Sequence, residues 1–315
     1  MCESRGVRTA PSLALLVAPL FASLCAVAAC AEPTPDPPDE QRPDGVALCY
    51  SPAAEAHPAT AAFWAALGGG DRAARADVVD QLEAAVVEQP DQEELHLLLG
   101  LADLWTLAEP LPGEEAPAAQ LPAALGARDH LRRAYELCPT DHRIAAWLGP
   151  VLVRFGRTLN NPDMVAEGLA VLDQGVAAYP SFVLFSRLLV FADEPRDSPD
   201  FQRALDAVVA NRDACAATPG DPACTDHPRA AHNREGAAVF MGDALAKAGR
   251  RADAAEAYQA AMAEPGYAGW AFQAVLASRL STLDARIAAF ATADPTDDPP
   301  VAWAVTDQCA MCHTR

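Results

Sequence analysis

From about residue 53 to residue 292, apolar residues recur every three or four positions in one segment after another, each closed by glycine, proline or aspartate. No other feature restricts the fold as much. That spacing draws one apolar stripe along a helix, and such a stripe is stable only when another element covers it. Val78, Leu82 and Val86 form a stripe behind Asp71, which can cap a helix start, and Gln89-Pro90-Asp91 stops it. Comparable helices are predicted over residues 53–67, 93–107, 123–137, 182–192, 199–216, 268–280 and 283–292, with Ser281 and Asp284 as a capping pattern and a proline-rich insertion over 109–122. Aromatic residues make up only 6 % of a chain that is 51 % hydrophobic, and alanine is frequent. Close-packed helices suit that composition, because sheets favour β-branched and aromatic side chains. The expected fold class is all-α, a short solenoid of five or six helical hairpins.

The ends read differently. Arg5 and Arg8 precede an apolar run over residues 11–29, the layout of an export signal. It closes with Val27-Ala28-Ala29-Cys30, which resembles the lipobox of bacterial lipoproteins. The resemblance implies that Cys30 becomes the lipidated first residue of the mature chain, and Ala31 behind it implies the outer membrane, facing the periplasm. An ordinary signal peptide cut after Ala29 and an uncleaved anchor stand as alternatives. Residues 30–46, rich in proline and acid, read as a solvated tether. The expected order is then a signal over 1–29, the tether, a helical-repeat domain over 47–293, an acidic linker over 294–300 and a C-terminal segment over 301–315. A net charge of −20 disfavours nucleic acid as a partner.

Within the helical region, Gly242 and Gly249 stand seven apart, followed by Ala254, Tyr258, Ala261 and Pro265. This resembles the tetratricopeptide repeat, although Pro265 comes one residue early. A weaker copy has Gly149, Gly156 and Pro180, and Ala134 with Pro139 ends an earlier unit, so the likeness covers residues 92–265 loosely. It implies partner recognition by the inner face of the array, near Glu94, Arg143 and Arg234 on the first helices.

The last seven residues are Cys309-Ala-Met-Cys312-His313-Thr-Arg315. Nine cysteines and seven histidines in 315 residues would produce C-x-x-C-H in about 0.6 % of shuffled chains, so accident is a poor explanation. Residues three apart share a helix face, which lets both thiols meet one porphyrin edge while the histidine offers iron an imidazole. Residues 301–309 with this motif resemble the first helix of a small c-type cytochrome. Only Thr314 and Arg315 follow, so the likeness implies haem attachment and not the cytochrome fold. A disulfide or dithiol, and a zinc site lacking a fourth ligand, remain alternatives. For the second iron ligand, His227, His232, Met241 and Met262 are candidates that sequence cannot rank; Met311 lies inside the motif itself.

After export an even set of cysteines favours pairing. Pro219-Gly220-Asp221-Pro222 can reverse the chain between Cys215 and Cys224, so a disulfide is expected there, with Cys49–Cys138 a weaker expectation. The remaining histidines, and Trp64, Trp105, Trp147 and Trp270, are expected to be surface and helix-packing residues respectively. No phosphate loop, H-E-x-x-H or G-x-S-x-G occurs. The sequence therefore suggests an envelope scaffold bearing haem c on Cys309, Cys312 and His313, for electron transfer or redox-complex assembly with an envelope partner. A haem-free interaction scaffold with C-x-x-C as a disulfide is the alternative.

Overall fold

The computed structural model describes residues 54, 56–111, 114, 117–292, 298–304 and 308–315. The export signal, Cys30, the tether and Cys49 lie outside them. Among the described residues the protein is all-helical, without a strand. Five packed helix pairs and then two further helices follow one another: α1 Pro58–Gly68 with α2 Arg75–Glu88, α3 Glu93–Ala108 with α4 Pro117–Leu137, and α5 His142–Thr158 with α6 Pro162–Ala178. Then come α7 Pro180–Val190 with α8 Pro199–Ala216, α9 Asn233–Lys247 with α10 Arg251–Ala263, and last α11 Gln273–Ser281, which packs on α10, and α12 Leu283–Ala289, which packs on α9 and α10. A one-turn helix, α13 Ala310–His313, ends the chain. None of the described helices is long and apolar enough to cross a membrane.

The pairs are tight because small residues sit where helices cross. A β-carbon on Gly242 of α9 would come within 2.3 Å of the Tyr258 ring of α10, and one on Gly168 of α6 within 2.6 Å of the Gly149 carbonyl of α5. Gly249, at φ +77°, makes the turn between α9 and α10 in a conformation other residues adopt at a cost. Asn160, at φ 51°, ends α5 in the same region, which asparagine tolerates.

Local chemistry explains several boundaries. Asn161 Oδ1 accepts from Met164 N–H to cap α6, and Asp141 Oδ1 accepts from Arg143 N–H to cap α5. Asp71 caps a short 3-10 turn, Arg72–Ala74, ahead of α2. Three expectations are corrected. The helix expected over 53–67 has its N-terminus at Pro58, because proline suits a first helical turn. The proline-rich insertion ends early, since α4 begins at Pro117 and carries Pro122 inside it. Ser281 does not cap α12: its hydroxyl donates back to Ser278 O, and α12 starts behind Thr282 without a side-chain cap.

Two hydrophobic cores result, one built from α1 to α5 and one from α5 to α12. Helix α5 belongs to both, with Trp147 and Leu152 facing the first and Ala146 and Val153 the second. Inside the second core Asp243 is fully buried as the acceptor of a polar hub. Tyr258 donates to it at 2.6 Å, Arg286 at 2.8 Å, Arg279 at 3.1 Å and the Ala302 amide at 2.7 Å. Four donors offset the desolvation of one carboxylate and tie α9, α10, α11, α12 and the C-terminal segment together.

Candidate functional site

The C-terminal motif is not held out on a linker. Cys309, Met311, Cys312 and His313 are each at most 2 % exposed. Cys309 lies in the first core and Cys312 in the second, so the motif joins the two. The motif is therefore closed off from solvent behind the acidic linker, and the physical reason is a set of bonds from distant elements. Ala310 N–H donates to Glu109 Oε1 at 3.0 Å, which puts a buried carboxylate at the start of α13. Trp105 Nε1–H donates to the other Glu109 oxygen at 2.9 Å. His232 N–H donates to Cys312 O at 3.0 Å, Trp270 Nε1–H to Met311 O at 2.8 Å, and Arg315 N–H to Gly68 O at 3.2 Å.

His313 Nδ1 lies 2.6 Å from Arg229 O. A carbonyl only accepts, so Nδ1 carries the proton and Nε2 keeps the lone pair. Burial pushes the imidazole down to about 4, with neighbouring His227 adding to the effect, so the ring is neutral at ordinary pH. The same burial pushes the Cys312 thiol up to about 12, with Asp226 and Glu235 contributing, so it stays protonated.

Around this ring the tryptophans converge. Trp64 of α1 has its ring centroid 6.4 Å from that of His313, and the Arg229 guanidinium lies over Trp64 at 4.6 Å. Trp64, Trp105 and Trp147, with Phe63, Leu101 and Leu104, line a cavity of about 20 Å³ that Cys309 and His313 complete. Trp64, Trp105, Trp147 and Trp270, expected only as packing residues, thus all surround the motif. Helix packing and site formation use the same apolar spacing, so sequence offers no signal that separates them.

Of the four candidate second ligands, two are close. His232 donates its amide to Cys312 O, and His227 affects the His313 ring. Met241 is buried in the second core, and Met262 is exposed on α10. The inner-face residues also differ from expectation. Glu94 and Arg143 are buried, Arg143 binding Asp141 and reaching Glu94 at 3.5 Å; only Arg234 is exposed, paired with Glu264 at 2.9 Å. Beside that cluster, burial pushes Glu93 up to about 7, with Glu94 and Asp141 adding to it.

The cysteines divide unevenly. Cys215 and Cys224 are joined, with Cα atoms 5.2 Å apart. Cys138 and Cys309 are also disulfide-bonded. Cys309 and Cys312 are not bonded to each other, against the alternative of C-x-x-C as one disulfide; one helical turn separates them, with Cys312 N–H donating to Cys309 O. Among the described residues no three His, Cys, Asp or Glu side chains form a metal-holding group, so the zinc alternative gains nothing.

For haem c the donor chemistry fits: a neutral imidazole with Nδ1–H fixed by a carbonyl, a neighbouring thiol, and an aromatic apolar surround. The docked packing is less accommodating, because the cavity has room for about one water. No family model, curated protein or solved structure matches the chain.

Proposed function

We propose that this chain is an exported, lipid-anchored scaffold of tetratricopeptide-like hairpins that carries one c-type haem on its C-terminal motif. Within that class it acts as an electron carrier or as a redox subunit docked on an envelope partner through the repeat array. One observation carries the reading: the His313 imidazole is buried, neutral and held in the Nδ1–H tautomer inside a wall of tryptophans. Cys309 and Cys312 would supply the thioethers, and His313 Nε2 the iron ligand. When bound, the haem supplies one-electron chemistry at its iron. Cys309 has to be released from its disulfide first, by a dithiol that leaves oxidised to a disulfide itself.

The repeat reading draws on five packed helix pairs and on Tyr258 seated against Gly242, two of the positions that carry the sequence likeness. The anchor reading draws on Arg5 and Arg8, the apolar run over residues 11–29 and its Val27-Ala28-Ala29-Cys30 ending. Cys30→Ser should release the protein from membranes or leave an unprocessed precursor, and unchanged partition with normal cleavage rejects it. A haem-free interaction scaffold is the second reading, favoured by the disulfide on Cys309.

Expression beside a c-type maturation system separates the two readings. The first expects a denaturing-gel haem stain that disappears in Cys309→Ala/Cys312→Ala. A colourless band, with maturation shown to work on a control cytochrome, favours the second.

A further inference from the structure

Cys312 is packed where nothing can be added to it. A β-carbon on Gly236 of α9 would lie 2.2 Å from Cys312 Sγ, so the sulfur rests against the backbone of α9 and position 236 tolerates only a hydrogen. Residues 309–313 are fixed around that contact by bonds to Glu109, Arg229, His232 and Trp270, while Arg315 N–H reaches Gly68 O at the end of α1. The neighbouring cavity, at about 20 Å³, has no space to spare. A thioether needs such space. When a thiol adds across a vinyl C=C, the sulfur gains a bond to one carbon and its hydrogen ends on the other. The new substituent then stands where Gly236 and the cavity wall already are.

We propose that residues 308–315 form a releasable strap. With the Cys309 disulfide opened, it is docked while Cys312 carries a hydrogen and displaced once that sulfur carries a carbon substituent. Release unfastens α1 from α9 and uncovers Trp64, Trp105 and Trp147. The natural trigger, haem attachment, rests on the function proposed above; the packing argument holds for any substituent on the sulfur.

The test therefore needs no haem. Gly236→Ala puts a methyl group against Cys312 Sγ, although alanine by itself favours the helix. Under reductant, which opens the Cys309 disulfide, hydrogen exchange of the Cys312 and His313 amides should be about tenfold faster or more in Gly236→Ala than in wild type, with the tryptophan fluorescence shifted to the red. Gly236→Ala/Cys312→Ala removes the sulfur and should return exchange to the rate of Cys312→Ala alone. It also serves if the single variant fails to fold. Wild-type protein labelled at Cys312 with a maleimide in denaturant and then refolded should match Gly236→Ala. Unchanged protection in Gly236→Ala, no recovery in the double variant, or a labelled protein with a docked segment each overturns the strap. Haem attachment is read separately by mass, so failure of one proposal is distinguishable from failure of the other.

Discussion

The Nδ1 proton of His313 is held by the carbonyl oxygen of Arg229, 2.6 Å away and eighty-four residues earlier in the chain. A bond from the last helix to the loop ahead of α9 fixes which ring nitrogen stays basic, and it keeps the ring inside an apolar wall.

That burial makes acid stability depend on His313. Its folded value, about 4, lies below the ordinary 6.5. Above about pH 6.5 the ring is neutral in both states and contributes no pH dependence. As pH falls from 6.5 toward 4, the unfolded chain takes up a proton that the folded chain refuses, so stability drops, by about 3 kcal/mol in all. Urea unfolding at pH 7 and pH 4.5 should therefore show a larger loss for wild type than for His313→Asn. Parallel losses would place the ring elsewhere.

The Asp243 hub makes a second expectation. Asp243→Asn leaves Arg279 and Arg286 buried without their countercharge, so it should destabilise by about 3–5 kcal/mol. Tyr258→Phe removes one bond to the same carboxylate and should cost about 1 kcal/mol. Denaturant midpoints of both variants check this; equal small shifts would mean that the arginines find other partners.

Opening the Cys215–Cys224 bridge has a bounded effect. The closed loop is short, so Cys215→Ser/Cys224→Ser should lower stability by at most about 2–3 kcal/mol, chiefly by freeing the unfolded chain. Thermal unfolding of this variant beside wild type, both without reductant so that the disulfides on Cys138 and Cys309 stay closed, measures it, and a variant as stable as wild type would show that the bridge constrains little.

The helices were legible where periodicity and stop residues coincide, as from Glu93 to Ala108 and from Pro199 to Ala216. The Cys215–Cys224 turn was legible for the same local reason. What sequence concealed was non-local. Glu109 sits in a stretch that reads as a proline-rich insertion, yet its carboxylate receives an amide 201 residues away. Glu94 and Arg143 look like exposed first-turn charges, but each is buried because Arg143 finds its countercharges in Asp141 and Glu94. The motif itself was visible as five residues; its burial depends on Trp270, His232 and Gly236, which share no pattern with it.

The most direct measurement is the intact mass of the mature protein after expression with c-type maturation, followed by mapping of the peptide that contains residues 308–315. The account predicts the polypeptide mass plus one haem, with the addition confined to Cys309 and Cys312 and absent from Cys309→Ala/Cys312→Ala. A chain of unmodified polypeptide mass, from cells that mature a control cytochrome, would contradict it.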